Sequence, residues 1–329
     1  MRFFAMSVLS ARALSTTPTK PFVVAVDGVA ERTALTSKEW LTAGPSGAYT
    51  TARTCANGAR LFEWDMHVAR TAESVASMVA AAPSAAGAAA VAAAGTAAAL
   101  RPRLEASVRA AVDAFRADSD ADELKVTVLV SWDERTAVAA HVAPLPPPPA
   151  RPVRVEARGA PRSNAAAKDS SWVRERAPLE ALMAASAVGP VNELLLLEGG
   201  RYALEGSQTN FFAVEGGALV TAGDGVLFGT VRRLALEVCA REGVPVEFRA
   251  PDVEAAGTWD GALVSSTSRL LLPVDELYAP AEGEPSRPGD LLRAFDNGDG
   301  ALAAKLAALV AAEVEAHSSP VAAFPAAAS

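Results

Sequence analysis

The chain has 329 residues and 50% hydrophobic content, enough for a sizeable core and for two domains. A formal charge of -8, with no compact run of Lys and Arg, argues against nonspecific binding to nucleic acid or to an anionic membrane. Two cysteines in unrelated segments and three scattered histidines offer neither a disulfide framework nor a metal-ligand cluster, and no run is apolar enough for a transmembrane helix.

Residues 1–20 carry Arg2, Arg12 and Lys20, several hydroxyl residues and no acid, which fits a transit peptide and fits an unstructured terminus equally well. The expected location is therefore intracellular: cytoplasmic, or organellar (mitochondrion or chloroplast) if a transit peptide is present. Residues 21–143 read as a small α/β domain. A strand is predicted over 22–26, a short helical piece over 37–41, and a strand over 48–54 that turns at Asn57-Gly58 and pairs back over 59–62. Met66, Val68 or Ala69, Ala72 and Val75 recur every three or four residues and predict a helix over 63–79. Residues 80–99 are nearly all small and read as an insertion or a loose helix extension, with too little apolar volume for a core of its own. Helix resumes over 102–115, and strands follow over 123–132 and 136–142. The prolines of 144–152 mark a linker and the domain boundary.

The larger domain, 153–329, opens with a strand over 153–157 and a polar stretch leading to Lys168-Asp169-Ser170-Ser171-Trp172, then a helix through 182. Short apolar strands at 194–197, 210–214 and 218–220 are separated by Gly199-Gly200, the acidic turn Glu205-Gly206, and Gly216-Gly217. Phe228-Gly229-Thr230-Val231-Arg232 opens a helix that stops near Gly243, so Thr230 and Val231 fall in its first turn, where free backbone N–H groups bind anions. Ser265-Ser266-Thr267-Ser268-Arg269 places hydroxyls between two buried strands. A last helix spans 301–316 and frays past His317. An acid, a helix start and a hydroxyl turn in this order point to a phosphate-bearing ligand with one basic ring atom. Lysine occurs only at 20, 38, 125, 168 and 305, and Lys168 follows a strand and precedes a helix.

The run Glu205-Gly206-Ser207-Gln208-Thr209-Asn210-Phe211-Phe212, then Gly229-Thr230-Val231-Arg232, then the Ser-Ser-Thr-Ser turn followed by Pro273-Val274, resembles the class IV aminotransferases, the fold-type IV pyridoxal phosphate enzymes. That family includes branched-chain and D-amino acid aminotransferases and aminodeoxychorismate lyase. The resemblance covers 153–277 and, more thinly, 49–73. It implies a two-domain α/β fold of fold type IV with pyridoxal 5'-phosphate held between the domains, amino acid and 2-oxo acid substrates, and a homodimer. Lys168, 37 residues before Glu205, matches the lysine that forms the family's Schiff base. Glu205 matches the acid that keeps the cofactor's ring nitrogen protonated. The amides of Thr230 and Val231, the hydroxyl of Thr267 and Arg70 match the phosphate site. Thr71 stands where the family's His-x-x-Arg-Leu helix has leucine. Without the resemblance, Lys168 reads as a surface lysine, Glu205 as a turn acid and Arg70 as a solvated helix arginine.

For the substrate, Tyr49 is placed like a family tyrosine that faces the ligand, and reads equally as a core tyrosine. Arg53 shares its strand face. Trp172, Ser268 and the pair Arg174 and Arg176 complete the candidates, the two arginines reading otherwise as an exposed helix face. The segment after Lys168 departs from the family's usual run, and 128–132 lacks the Arg and His that D-amino acid enzymes place on this strand. The implied reaction is transamination. A lyase that eliminates pyruvate, and a cofactor-binding homologue without activity, are the two alternatives.

Overall fold

The computed structural model describes residues 21–326; the basic leader at 1–20 lies outside them. β1 (Phe22–Val26) and β2 (Val29–Thr33) form a hairpin, and α1 (Ser37–Ala43) follows behind a capping box between Thr36 and Glu39. β3 (Gly47–Cys55) turns into the short β4 (Arg60–Phe62). Three helices come next, α2 (Trp64–Ala81), α3 (Ala85–Ala94) and α4 (Ala97–Arg116), and then β5 (Leu124–Ser131) and β6 (Ala137–Pro144). The strands pair antiparallel in the order β4-β3-β5-β6-β1-β2. Strand alternation divides the sheet. Ala48, Ala52, Val126, Val128, Val130, Val138, Ala140 and Val142 are buried together with the three helices. Tyr49, Thr51, Lys125 and Thr127 are on the opposite face.

The alanine-rich segment differs from expectation. Ser84 caps α3 on the Gly87 amide at 3.0 Å, and Ala90 and Ala94 are fully buried in the small-domain core, packed with α2 and α4. Alanine is the best helix former, and its lack of bulk lets α3 share its neighbours' core instead of needing one of its own. α4 likewise starts at Ala97, behind the N-cap Thr96, one turn before the predicted Pro102.

Pro144 still closes β6 opposite Leu124, so the connecting segment begins after it. The second body runs β7 (Arg154–Ala157), the short helices α5 (Trp172–Glu175) and α6 (Ala177–Ala184), β8 (Glu193–Glu198), β9 (Tyr202–Gly206), β10 (Asn210–Glu215), β11 (Ala218–Thr221), α7 (Thr230–Glu242) and β12 (Val246–Phe248). β13 (Gly261–Ser266), β14 (Leu270–Pro273), β15 (Glu276–Tyr278), β16 (Leu291–Ala294) and α8 (Leu302–Ala312) complete it, and β17 (Ser318–Pro320) returns to the first sheet. Its mixed sheet has the order β12-β11-β10-β9-β8-β7-β15-β16, with β13 pairing both β10 and β14. Phe211 and Phe212 go to opposite faces of β10. Phe212 packs with Leu234 of α7 and Leu306 of α8, and Phe211 packs with Trp259. Burial on both faces accounts for the unbroken apolar run in this strand.

Two further expectations are corrected. Glu205 lies within β9, opposite Leu196 and Asn210, and not in a turn. The chain does not fray past His317: β17 pairs with β4 as the seventh strand of the first sheet, and Phe324 packs on Trp64 with ring centroids 5.3 Å apart. The tail of the larger domain thus closes the core of the smaller one, because β4 offers an unpaired edge that a returning strand can satisfy.

Candidate active site

β4 reaches β3 only at Thr54 and Cys55, which leaves the first half of β3 with an open edge. The lysine segment occupies it. Tyr49 N donates to Lys168 O at 2.9 Å, Ser170 N to Gly47 O at 2.9 Å, and Gly47 N to Ser170 Oγ at 3.0 Å. Lys168 N donates to Ser74 Oγ on α2 at 3.0 Å. Gly47 has to be glycine, since a Cβ there would stand 2.1 Å from Val130 O. The Lys168 backbone is therefore anchored on the small sheet, and its Nζ sits 4.7 Å from the centre of the Tyr49 ring. Burial pulls the Lys168 amine below its ordinary value, and Arg70, Arg162 and Arg176 push the same way against Tyr49. The shift favours the neutral form of the amine relative to an exposed lysine. Burial alone would raise the Tyr49 hydroxyl, but Lys168, Arg176 and Arg162 outweigh it and hold it below the usual tyrosine value.

Lys168 opens onto a cavity of about 220 Å³ between the polar face of the small sheet, α5 and the start of α7. Glu205 lies in its wall. Its Oε1 accepts from Arg162 Nε (2.9 Å) and Nη2 (2.7 Å), and its Oε2 from the Leu227 amide (2.9 Å). Burial raises the Glu205 carboxyl above the ordinary range; Arg162 and the Leu227 N–H oppose this and favour the charged form. Leu227 O in turn accepts from Asn210 Nδ2 at 2.6 Å. The Glu205 and Asn210 of one motif thus hold both polar groups of the residue that leads into α7.

α7 has no side-chain cap at Gly229, where a Cβ would meet Asn210 Oδ1 at 2.1 Å. Thr230 and Val231 follow on the cavity wall, with their first-turn amides unclaimed by the helix. The Val231 side chain is in the large-domain core, so its contribution is its backbone N–H. Thr230 Oγ1 is 3.1 Å from Thr267 Oγ1. Arg70 is only 7% exposed and so is not a solvated arginine; Nη2 donates to Thr50 Oγ1 (2.8 Å), and Nε has no partner. Thr50, having accepted from Arg70, can donate its own proton to His67 Nδ1 at 2.7 Å. Burial and the Arg70 charge hold His67 far below its ordinary value, so it is a neutral acceptor. A helix start, two hydroxyls and a guanidinium with a spare N–H form an anion site.

Of the substrate candidates, Tyr49, Trp172, Ser268 and Arg176 line the cavity. Trp172 Nε1 donates to Ser207 O at 2.7 Å, and Arg162 lies over its ring at 5.8 Å. Arg53 is not brought in: its Nε turns to Thr54 O at 3.4 Å, and its cross-strand partner Lys125 is on the wall instead. Arg174 and Arg176 separate. Arg174 donates to Thr42 O (3.0 Å) and Leu41 O (3.3 Å) at the end of α1, whereas Arg176 is buried, on Glu180 (2.8 Å) and the Tyr49 hydroxyl. Sequence reasoning missed Arg162, which lies in an irregular stretch without periodicity; its one signal is a basic residue in the run leading to the lysine.

Two α/β bodies with a lysine, a buried glutamate and a helix-start anion site between them have the architecture of fold type IV. The chain belongs to the amino-transferase class IV family, whose profile matches residues 47–277. A branched-chain aminotransferase from Thermoproteus uzoniensis, solved with norvaline, superposes with a TM-score of 0.65 at 20% identity, covering 91% of this chain and 99% of that one. The PLP-bound form of a hypothetical aminotransferase from Mycobacterium tuberculosis gives 0.61 at 19% identity, covering 90% and 99%. The branched-chain amino acid aminotransferase of Escherichia coli gives 0.59 at 16%, covering 86% and 91%. At these identities the likeness is one of fold. No curated protein matches the chain in sequence. Among the described residues no helix is long and apolar enough to cross a membrane.

Proposed function

We propose that this chain is an aminotransferase that moves an amino group between an amino acid and a 2-oxo acid. The observation that carries the reading is the convergence of Lys168, Glu205 and the anion site of α7 on one cavity. Pyridoxal 5'-phosphate is the cofactor, and the residues fit it. The unpartnered Arg70 Nε, the α7 amides and the hydroxyls of Thr230 and Thr267 suit a phosphate, and the buried Glu205 suits a protonated ring nitrogen. When bound, the group supplies a carbonyl that combines with amines and a ring that withdraws electrons from a substrate's α-carbon.

Lys168 would hold the cofactor's carbonyl through its amine, and its Nζ, when released, would be the base for the substrate's α-proton. Glu205 keeps the ring nitrogen protonated, and Arg162 keeps Glu205 charged and aimed. Tyr49 covers the amine on one side. The working unit in this reading is a homodimer, as in the family, which sedimentation of the purified protein checks.

The test is visible absorption of the protein with pyridoxal phosphate, before and after a panel of L- and D-amino acids, for wild type and Lys168→Ala. Wild type is expected to show the absorption of lysine-linked cofactor and to lose it with at least one amino acid; Lys168→Ala shows neither. The same band in Lys168→Ala, or no response to any amino acid, sinks the reading. Pyruvate released without an oxo-acid acceptor replaces transfer by elimination.

A further inference from the structure

The anion site is made by helices of two bodies, α7 through its first-turn amides and α2 through Arg70, so its geometry depends on what holds those helices together. One crossing is Arg70 itself, whose Nη1 donates to Phe228 O at 3.4 Å, just ahead of α7. The other is Glu63, at the start of α2. Its Oε1 and Oε2 each accept from Arg233 Nη2 at 2.5 Å. Arg233 stands one turn into α7, and helical side chains lean back over the preceding turn, here the one that holds Thr230 and Val231.

Glu63 serves this contact and not its own helix. An acid at the first position of a helix ordinarily caps it, yet Glu63 makes no capping bond. Its backbone is left-handed, with φ 53° and ψ 37°, which is costly for a residue with a Cβ. The tail secures it there: Glu63 N donates to His317 O at 2.8 Å, and His317 Nδ1 lies 3.0 Å from Oε1. α7 has no acid in its first turn and carries Arg232 and Arg233 close behind it, so a carboxylate from outside is what its N-terminus lacks.

We propose that Glu63 is a positioning residue for the cofactor's phosphate: by holding Arg233 it fixes the start of α7 against α2, so that the amides of Thr230 and Val231 and the guanidinium of Arg70 face one phosphate before it arrives. An assembled site spares the ligand the cost of assembling it, and affinity falls with the fraction of molecules in which both helices are in place. The inference rests on the reading that the anion site takes the phosphate of pyridoxal phosphate, and not on the reaction that follows.

The experiment is absorbance titration of the full chain, freed of cofactor, with pyridoxal phosphate and with pyridoxal, which lacks the phosphate. Wild type, Glu63→Gln, Arg233→Met and the double variant are compared. In Glu63→Gln the guanidinium keeps its pair with Glu237, so no cation is stranded. Both single variants are expected to bind pyridoxal phosphate about tenfold more weakly and pyridoxal as wild type does. The double variant binds no more weakly than either single one, since all three remove the same contact. The direction of the Glu63→Gln change separates positioning from plain charge. A charge acting only through space would tighten phosphate binding in Glu63→Gln, which keeps Arg233, and weaken it in Arg233→Met. Unchanged or tighter binding in Glu63→Gln, an equal loss with pyridoxal, or losses that add in the double variant overturn the assignment. Binding is read without turnover, so the readings fail separately: a chain that shows this dependence but answers no amino acid loses only the reaction, and a transaminase without it loses only the role of Glu63.

Discussion

Arg162 grips Glu205 through a single oxygen, with Nε at 2.9 Å and Nη2 at 2.7 Å from Oε1, and both side chains are almost wholly buried. The same guanidinium donates to Ala165 O (2.8 Å) and Ala167 O (3.2 Å), the backbone that leads into Lys168. One side chain therefore couples the Glu205 carboxylate to the backbone that places Lys168.

Removing one partner of a buried pair strands the other charge, at a cost of about 3–5 kcal/mol. Arg162→Met is expected to lose stability on this scale in urea denaturation. Adding Glu205→Gln to it returns most of the stability, since the stranded charge is gone, but returns no turnover. A double variant as unstable as the single one would show that Arg162 acts through the loop and not through Glu205.

Arg70 offers the anion site a spare Nε–H from a buried guanidinium whose pKa burial pulls down to about 10. Losing a hydrogen bond to a charged group costs about 1.5–3 kcal/mol. Arg70→Met should therefore weaken pyridoxal phosphate binding by about ten- to a hundredfold in an absorbance titration. Unchanged affinity would remove Arg70 from the phosphate site.

His67 stays neutral in the folded chain because burial and Arg70 depress its pKa far below 6.5. As pH falls below that ordinary value, the unfolded chain takes up a proton that the folded chain refuses, so stability is lost with acid down to the depressed folded value. His67→Gln has no such proton to bind. The advantage of wild type over His67→Gln in urea midpoint should shrink between about pH 7 and about pH 5. A gap that stays constant over this range would mean that His67 titrates alike in both states.

Phe324 is 7% exposed and packs on Trp64, far from the cavity residues in the chain's own order and outside the cavity wall. Phe324→Ala should cost about 3–5 kcal/mol, the usual penalty for emptying an aromatic core position, while cofactor affinity stays the same. Stability equal to wild type would show that the returning tail is not part of the small-domain core.

What the sequence by itself determined is what is local. The three- and four-residue spacing of Val68, Ala72 and Val75 marks α2, and glycine turns punctuate the strands of the large sheet. The run from Glu205 to Phe212 and the opening of α7 are contiguous motifs, readable because each is confined to a few adjacent residues. Only the tertiary structure decided which side chains meet. The open edge of β3, left by a short β4, is what places Lys168 over Tyr49, 119 residues earlier in the chain. Arg162 lies in a segment with no periodic pattern, and its burial depends on Glu205, an acid that another element brings to it. Lys125 and not Arg53 reaches the wall, although the two are cross-strand partners on one face, because the cavity does not extend over both. The alanine helix and the tail strand are stable only against partners distant in sequence. Burial and pairing energies belong to those contacts, and a linear pattern holds the propensity for an element without the surface it will be buried against.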